Sequence, residues 1–522
     1  MQTLIEQAAR LLAGGRTAEA VALLEDCAVK APEIPAAHLN LAVARKAAGD
    51  LAGARAAVTR ALELAPGWPE ALYILGNLCM AAGQPPEAAD AYRRALAARP
   101  DWPQAWDGLG TALREGGDLQ GALGAHREAT ALAPSWSAAQ HNLAATLQQL
   151  DRETEAVEAF RLAVEYDPDS WESRTCLGLL LLKQGDFAAG WKEFDWRFAN
   201  GGAPAKLRGR EQPVWNGEPL AGRALLLCAE QGAGAQIQFL RFASRLATLG
   251  GTILVEAPPG LERLFATCSG VSRIVSVDDP CEEADFQIPL LSVPRVLKAT
   301  LRTLPAEIPY LAAPAEPRPD LDEIFAPYAD ELKVGIAWSG NPRHPMNPAR
   351  SCAPEDFASL ADLPGVRLFS LQYGDEGTTA SRLRESGIAS LASSLGDFAS
   401  TAAVIERMDL VITVDTYTAH LTGALGRPVW TLLNTPCDWR WMDWRGDSPW
   451  YPGMRLFRQP RPGDWPGVFR QARAALLDYG ASAREGSTRA ARRAGTQLAS
   501  SAATARTTRT PAKVAGSVAV TP

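Results

Sequence analysis

The stretch "DLVITVDTYTAHLTGALGRPVW", residues 409–430, decides the fold of the second half of this chain. Leu410 to Val414 is a short apolar run of strand length. A polar Asp-Thr turn follows, then a small-residue helix, then the apolar run from Val429. Strand, tight turn, helix and strand in so few residues is the grammar of a parallel α/β sheet. The turn has two readings. Thr416 caps a helix and His420 packs beneath it, or the helix start seats a phosphate through its free amides and partial positive charge. His420 lies four residues beyond Thr416, on the same helix face. Asp415 repels an anion, so its expected role is to hold the turn's amides.

The same grammar extends outward. "ALLLCAE" (224–230), "TILVEA" (252–257) and "RIVSV" (273–277) read as strands separated by helices, and "ADFQIPLLSVPRVL" supplies another. After a Pro- and Ala-rich stretch near 312–328, read as a hinge, a second series begins. It runs "KVGIAWSG" (333–340), "VRLFSLQ" (366–372), the stretch quoted above and "PVWTLL" (428–433), with a closing helix near 466–478. Two such halves place a cleft beyond the carboxyl ends of their strands.

The first 200 residues read differently. Pro32, Pro66, Pro100, Pro134 and Pro168 are each 34 residues apart, as are Ala20, Ala54, Ala88, Ala122 and Ala156. Leu24, Val58, Tyr92, His126 and Phe160 keep the same step. A fixed period of this size marks a solenoid. Small residues at Gly76, Gly110, Ala88 and Ala122 let paired helices approach. Each proline ends the second helix of its unit, because it lacks an amide donor and restricts the residue before it. Five units fill about 1–170, and a sixth begins at Trp171. Such arrays bind partners on their concave face or serve as rigid spacers.

The 522 residues carry 52 Lys and Arg against 59 Asp and Glu, which argues against nucleic-acid binding. The eight cysteines include no C-x-x-C pair, which suits reduced thiols. The N-terminal residues lack a signal-peptide pattern, and no apolar run is long enough to span a membrane, so a cytoplasmic location is expected. Residues 199–222 read as a linker, and the Ala-, Ser-, Thr- and Arg-rich residues 481–522 as a disordered tail.

Three strand ends carry candidate chemistry. "DTYTAH" supplies Asp415, Thr416 and His420. "SGNPRHPMNPARS" supplies Gly340, Asn341, Arg343, His344 and Arg350; arginine forks suit phosphate, and His344 is a candidate acid or base. "EQGAGA" permits a tight turn and contains Glu230. Trp439, Trp441, Trp444 and Trp450 form a sugar platform or pin a loop. Each constellation also has a plain structural reading as a cap, a solvated loop or a buried anchor.

"GNLCMAAGQPPEAADAYRRALAARPD" resembles the tetratricopeptide repeat family. "LLCAEQGAGAQIQFLRFASRL", "GIAWSGNPRH", "DLVITVDTYTAHLTGALGRPVWTLL" and "DWRWMDWRGDSPWYPGMRLFRQ" resemble bacterial proteins that join such repeats to a glycosyltransferase domain. That domain is similar to glycosyltransferase family 9, the lipopolysaccharide heptosyltransferases, and more distantly to protein O-GlcNAc transferases. The resemblance implies an α-solenoid followed by an α/β GT-B fold of two Rossmann-like halves. The expected bounds are 1–200 for the solenoid, 201–222 for the linker, 223–315 for the first half and 330–480 for the second, nucleotide-sugar-binding half. It implies a metal-independent inverting transferase with a nucleotide sugar as co-substrate and no cofactor. Asp415, Thr416 and His420 would lie at the donor diphosphate, flanked by Gly340, Asn341, Arg343 and His344. Relatives commonly carry an aspartate in the first loop, the usual candidate for activating the acceptor; here the position is Ala235, which leaves Glu230 as the nearest substitute base. Relatives also tend to have Asn-Asp-Arg where this chain has Met346-Asn347-Pro348. The expected function is sugar transfer to an acceptor, a protein recruited by the repeats. The alternative is a non-catalytic repeat scaffold with a degenerate transferase domain.

Overall fold

The computed structural model describes residues 2–199, 210–277, 279–374 and 378–484. Residues 201–209 of the expected linker and nearly all of the expected tail lie outside them. The chain forms two compact units that divide between Leu177 and Gly178.

The first unit is built from helix pairs. They are α1 (Gln2–Ala13) and α2 (Thr17–Lys30), α3 (Pro35–Ala47) and α4 (Leu51–Leu64), α5 (Pro69–Ala81) and α6 (Pro85–Ala98), α7 (Pro103–Glu115) and α8 (Leu119–Leu132), and α9 (Ser137–Gln149) and α10 (Glu153–Tyr166). Two further helices follow, α11 (Trp171–Gln184) and α12 (Phe187–Phe194). The period in the sequence is the core of the solenoid. Ala20, Ala54, Ala88, Ala122 and Ala156 have no exposed surface, and Leu24, Val58, Tyr92, His126 and Phe160 are at most 1% exposed. The residue before each periodic proline ends its helix in a non-helical conformation, as at Ala65 (φ −142°, ψ 80°) and Ala133 (φ −137°, ψ 73°), because proline disfavours the α region there. Glycine is required where a large neighbour fills the groove. A Cβ on Gly76 would stand 2.6 Å from the Tyr92 ring, and one on Gly110 would stand 2.5 Å from the His126 ring. His126 Nδ1 lies 3.3 Å from Asp107 Oδ1, and Asp107 also accepts from Asn142 Nδ2 at 2.9 Å.

The unit boundary falls earlier than the change of sequence texture near residue 200. The solenoid pattern continues through α12, but its large side chains are used elsewhere. Phe187, Trp191 and Phe194 join the same core as the first β-sheet and the loop at 439–451. Trp191 donates its indole N–H to the Ala299 carbonyl at 3.1 Å.

The second unit holds two parallel sheets. β1 (Ala224–Cys228), β2 (Thr252–Ala257), β3 (Arg273–Ser276) and β4 (Phe286–Pro289) lie in the order β3-β2-β1-β4. β5 (Leu332–Ala337), β6 (Val366–Ser370), β7 (Ala389–Ser390), β8 (Leu410–Val414), β9 (Val429–Leu433) and β10 (Met454–Arg458) lie in the order β10-β9-β8-β5-β6-β7. All paired strands run parallel. Every residue of β8 and β9 is buried, as expected for strands covered on both faces. The chain reverses its direction of winding between β1 and β4 in one sheet and between β5 and β8 in the other. These switch points open crevices beyond the strand ends.

Local details depart from the sequence reading. The expected helix after β1 is two helices, Ala233–Phe239 and Phe242–Ala247. The hinge near 312–328 contains the helix Pro319–Phe325, held because Leu321 and Phe325, four residues apart, are both buried. Phe325 packs edge-on against Phe369 at 5.0 Å. The closing helix spans Trp465–Arg484 and thus enters the stretch assigned to the tail. All eight cysteines are free thiols. Among the described residues no helix is long and apolar enough to cross a membrane.

Gly110→Ala drives a methyl into the buried His126 ring, so overpacking should destabilise the first unit by about 1–3 kcal/mol. Thermal melts followed by helical circular dichroism should show an earlier loss of helix in the variant. Unchanged melting would show that the groove at residue 110 has room to relax.

Candidate functional site

The ends of β5 and β8 are built from the backbone outward. Gln372 Oε1 accepts from the amides of Trp338 (3.2 Å) and Ser339 (3.1 Å), which fixes the turn after β5. Buried Asn347 accepts from Gly340 N at 3.0 Å and donates to Ser339 Oγ at 3.2 Å. Arg350 then returns beneath that turn. A Cβ on Gly340 would stand 2.8 Å from Arg350 Nη2, so residue 340 must be small. Arg350 has no ion-pair or hydrogen-bond partner among the described residues, and its Nε is buried. An unpaired, half-buried guanidinium is costly unless a ligand supplies the counter-charge.

Beyond β8, Thr416 is the N-cap of the helix Tyr417–Ala424. Its hydroxyl accepts from Thr418 N at 3.2 Å and lies 3.2 Å from the Thr413 hydroxyl. Thr416 and His420 are each 4% exposed. His420 Nδ1 lies 3.1 Å from the Tyr451 hydroxyl, and its ring stacks on Trp441 at 5.2 Å. Burial pushes the His420 pKa well below its ordinary value, and the charges of Arg440, Arg241 and Arg350 push it further. The imidazole is therefore neutral at physiological pH. Burial pushes the Tyr451 pKa well above the usual phenol value, so Tyr451 keeps its proton. A Tyr451 hydroxyl donating to Nδ1 leaves the His420 proton on Nε2.

Asp415 is 9% exposed. Burial first, then the charge of Asp438, raises its pKa to about 6, against the pull of Arg350 and Arg440. The Trp441 indole N–H lies near enough to favour its charged form, yet makes no hydrogen bond of acceptable geometry. We count it as a near contact. The carboxylate accepts no amide of the turn; the Thr416 hydroxyl does that work instead. This corrects the expectation that Asp415 holds the turn. Asp415 stands one residue before the N-cap, so the cap hydroxyl of Thr416, not the carboxylate, meets Thr418 N.

The loop after β1 meets this site from the other half of the unit. Gly234 lies against His420: a Cβ there would stand 2.9 Å from the ring. Arg440, 8% exposed, donates to Gln238 Oε1 at 2.8 Å, to Gln231 Oε1 at 3.3 Å and to Asp438 Oδ1 at 3.0 Å. Arg241, also buried, donates to the Trp450 carbonyl at 2.6 Å. The result is a buried, cation-rich wall at a strand switch point, beside a helix N-terminus, where anionic groups are favoured.

Comparison with known proteins follows the same division. Residues 5–69, 45–111 and 137–170 match models of the tetratricopeptide repeat. Residues 363–441 match the model of glycosyltransferase family 9 (heptosyltransferase). The chain is thus similar to tetratricopeptide repeats over parts of its first 170 residues and to glycosyltransferase family 9 over residues 363–441. Protein FlbA of Caulobacter vibrioides is 26% identical over 334 residues, covering 58% of this chain and 54% of that protein. The chain thus spans about half the length of that relative. Among solved structures, PilW, a widely conserved type IV pilus biogenesis factor, is 20% identical with a TM-score of 0.36, over 38% of this chain and 93% of its own. YrrB, a tetratricopeptide repeat protein with an unusual peptide-binding site, is 22% identical with a TM-score of 0.30, over 34% of this chain and 90% of its own.

The matched residues 363–441 include Asp415, Thr416 and His420, and the structure brings Arg350, with Gly340 packed against it, within electrostatic reach of Asp415 and His420. Asn341, Arg343 and His344 lie on an exposed turn, where Arg343 N donates to Asn341 Oδ1 at 3.0 Å. His344 keeps Arg350 and Asp438 within electrostatic reach; partial burial and then Arg350 lower its pKa, while Asp438 raises it. Glu230 is 6% exposed at its side chain and fully engaged, with Arg197 at 2.9 Å and the Leu291 amide at 2.7 Å. A carboxylate so satisfied is an anchor in this conformation, not an open base. Ala235 is half-buried and packs against the core. Sequence reasoning missed Arg440 and Asp438. Their Asp-x-Arg spacing was visible inside "DWRW", but the tryptophans drew the reading. Of those, Trp439, Trp441 and Trp450 are buried anchors, and Trp444 is 53% exposed.

The raised pKa of Asp415 fixes a pH dependence. Because the folded value lies above the ordinary 3.8, the folded protein holds a proton between about pH 4 and 6 that the unfolded chain releases. Stability contributed by this group is therefore lost as pH rises through that window. An anion beside Asp415 should bind more tightly once the carboxyl is protonated. Titration calorimetry with nucleoside diphosphates should show tighter binding at pH 5.5 than at pH 7.5. Asp415→Asn should flatten that difference and strengthen binding at pH 7.5 by roughly tenfold, the equivalent of one pKa unit. An unchanged pH profile in the variant would exclude Asp415 from the anion's neighbourhood.

Proposed function

We propose that the second unit binds a nucleotide sugar and transfers the sugar, with inversion, to an acceptor hydroxyl on a protein held by the repeats. The observation that carries this reading is the unpaired guanidinium of Arg350 beside the Thr416-capped helix start and the neutral His420. That combination suits a diphosphate: Arg350 supplies a fork, Arg440 a fixed charge, the helix N-terminus partial positive charge, and His420 an Nε2 proton. The match of residues 363–441 to glycosyltransferase family 9 supports the same assignment.

In the proposed step the acceptor oxygen attacks the anomeric carbon from the face opposite the diphosphate. The bond from that carbon to the phosphate oxygen breaks, and its electron pair leaves with the diphosphate. Arg350, Arg440 and the helix start stabilise the developing negative charge, in a site already organised for it. The acceptor proton passes to water at the open acceptor face. Ala235 cannot take it, and Glu230 is tied to Arg197. Asp415 stands beside Arg350 on the diphosphate side of the sugar, so it cannot reach the acceptor oxygen. No resident cofactor enters the scheme; the nucleotide sugar is a co-substrate. His344 stands on the exposed turn beside Arg350 as a further donor to the phosphates.

Ala235 and the engaged Glu230 favour a second reading, a repeat scaffold whose transferase domain retains donor binding but not turnover. Calorimetry on the full chain with a panel of nucleoside diphosphates separates the outcomes. The proposal expects binding of at least one nucleotide, weakened about 10- to 100-fold in Arg350→Ala, the worth of charged hydrogen bonds, and weakened in His420→Ala. Nucleotide release from donor sugars, with a candidate acceptor present, should fall about 10- to 100-fold in Arg350→Ala, in step with the lost diphosphate affinity. Binding without turnover by the native chain, despite a bound acceptor, selects the scaffold. No binding of any nucleotide refutes the donor site.

A further inference from the structure

The ion pair between Arg197 and Glu230 carries information that the proposed reaction does not use. Arg197 lies in a 3-10 turn, Asp195–Phe198, directly after α12. Its guanidinium makes a fork on Glu230, with Nη2 at 2.9 Å from Oε1 and Nε at 3.2 Å from Oε2. Nη2 also donates to Ser292 Oγ at 2.9 Å, and Nη1 to Asp195 Oδ1 at 2.8 Å. The flat group sits over the rings of Phe194 (4.3 Å) and Phe198 (4.0 Å). Glu230 in turn accepts from Leu291 N, so one carboxylate ties the end of β1 to the residues just beyond β4. Arg295 pairs with the second oxygen of Asp195 and closes the cluster.

The residue after Glu230 is the one that matters for the site. Gln231 has φ +59°, a left-handed conformation that is unfavourable for a residue with a side chain. Such strain persists where neighbours over-determine it. The Gln231 carbonyl accepts from Gln236 Nε2 at 3.1 Å, and its side chain accepts from Arg440 at 3.3 Å. Arg440 is thus steered from the opposite half of the unit by a turn whose starting residue is clamped.

We propose that Arg197 and Glu230 are positioning residues: their ion pair holds the strained Gln231 turn so that Arg440 is fixed in the diphosphate pocket. The proposal rests on the donor-site reading for its effect on binding, but not for its effect on the turn. It gives Glu230 a role distinct from that of a base. A base acts on the acceptor, so Glu230→Gln would abolish transfer and leave diphosphate affinity nearly unchanged. A brace acts through Arg440, so Glu230→Gln must weaken the diphosphate itself.

The test is a double-mutant cycle on the full chain, read by calorimetry with whichever of UDP, ADP or GDP binds tightest. Arg197→Ala and Glu230→Gln should each weaken binding about 3- to 10-fold. In an Arg440→Ala background each should change binding by less than about twofold, because coupled residues are not additive. Additive effects, or Glu230→Gln with unchanged affinity and lost transfer, would overturn the proposal. A second measurement needs no ligand. Hydrogen exchange of the native chain and of Glu230→Gln, the milder change, should show faster exchange in peptides covering 229–240 and 438–442 in the variant. Unchanged exchange there overturns the brace. Native chain that binds no nucleotide, with faster exchange in the variant, refutes the donor site and leaves the brace standing.

Discussion

A close approach between helices in the second unit is the one on which its site depends. Gly234, in the first turn of the helix after β1, rests on the His420 ring and on the Tyr417 backbone, where a Cβ would stand 2.9 and 3.4 Å away. Without a side chain at 234 the two helices meet directly. That contact, with Trp441 stacked on the other side of the imidazole, takes His420 out of water. It also brings Gln231 and Gln238, from one half, within hydrogen-bonding distance of Arg440, from the other. Any larger residue at 234 would have to push the halves apart before it could be accommodated.

Burial then governs the electrostatics. Charges in a dry wall act over longer distances than charges in water. Arg241, Arg350 and Arg440 all act on His420 and keep it neutral. Two carboxylates, Asp415 and Asp438, oppose each other across the same wall, and Asp415 yields by holding its proton to about pH 6. The arrangement is asymmetric: Arg440 has Asp438, while Arg350 has no ion-pair or hydrogen-bond partner among the described residues. In the proposed reading a diphosphate supplies the missing negative charge. This is the physical reason for reading the strand ends as a donor site and not as a capped helix alone.

Much of this was legible in the sequence, where the signal was local or periodic. The solenoid was legible because the same position is buried in every unit. Thr416 was legible as a cap because a hydroxyl at a strand-to-helix turn has few other uses. What stayed hidden depends on partners distant in the chain. Glu230 looked like an available base because Arg197 stands 33 residues earlier, in a turn that belongs to no motif. α12 looked like solenoid because its helical pattern continues the repeat, while Phe187, Trp191 and Phe194 are spent on the core of the second unit. β10 was lost inside an aromatic-rich segment. The helix Pro319–Phe325 was masked by prolines that in fact sit at its start, where they are tolerated.

The central claim is that the crevice beyond β5 and β8 holds a diphosphate. The most direct measurement is a crystal structure of the full chain with the nucleoside diphosphate that binds tightest. The account predicts phosphate oxygens within hydrogen-bonding distance of the Arg350 guanidinium and of the first amides of the helix Tyr417–Ala424, with His420 Nε2 facing them. A nucleotide bound elsewhere, with Arg350 still unpaired and the helix start untouched, would contradict it.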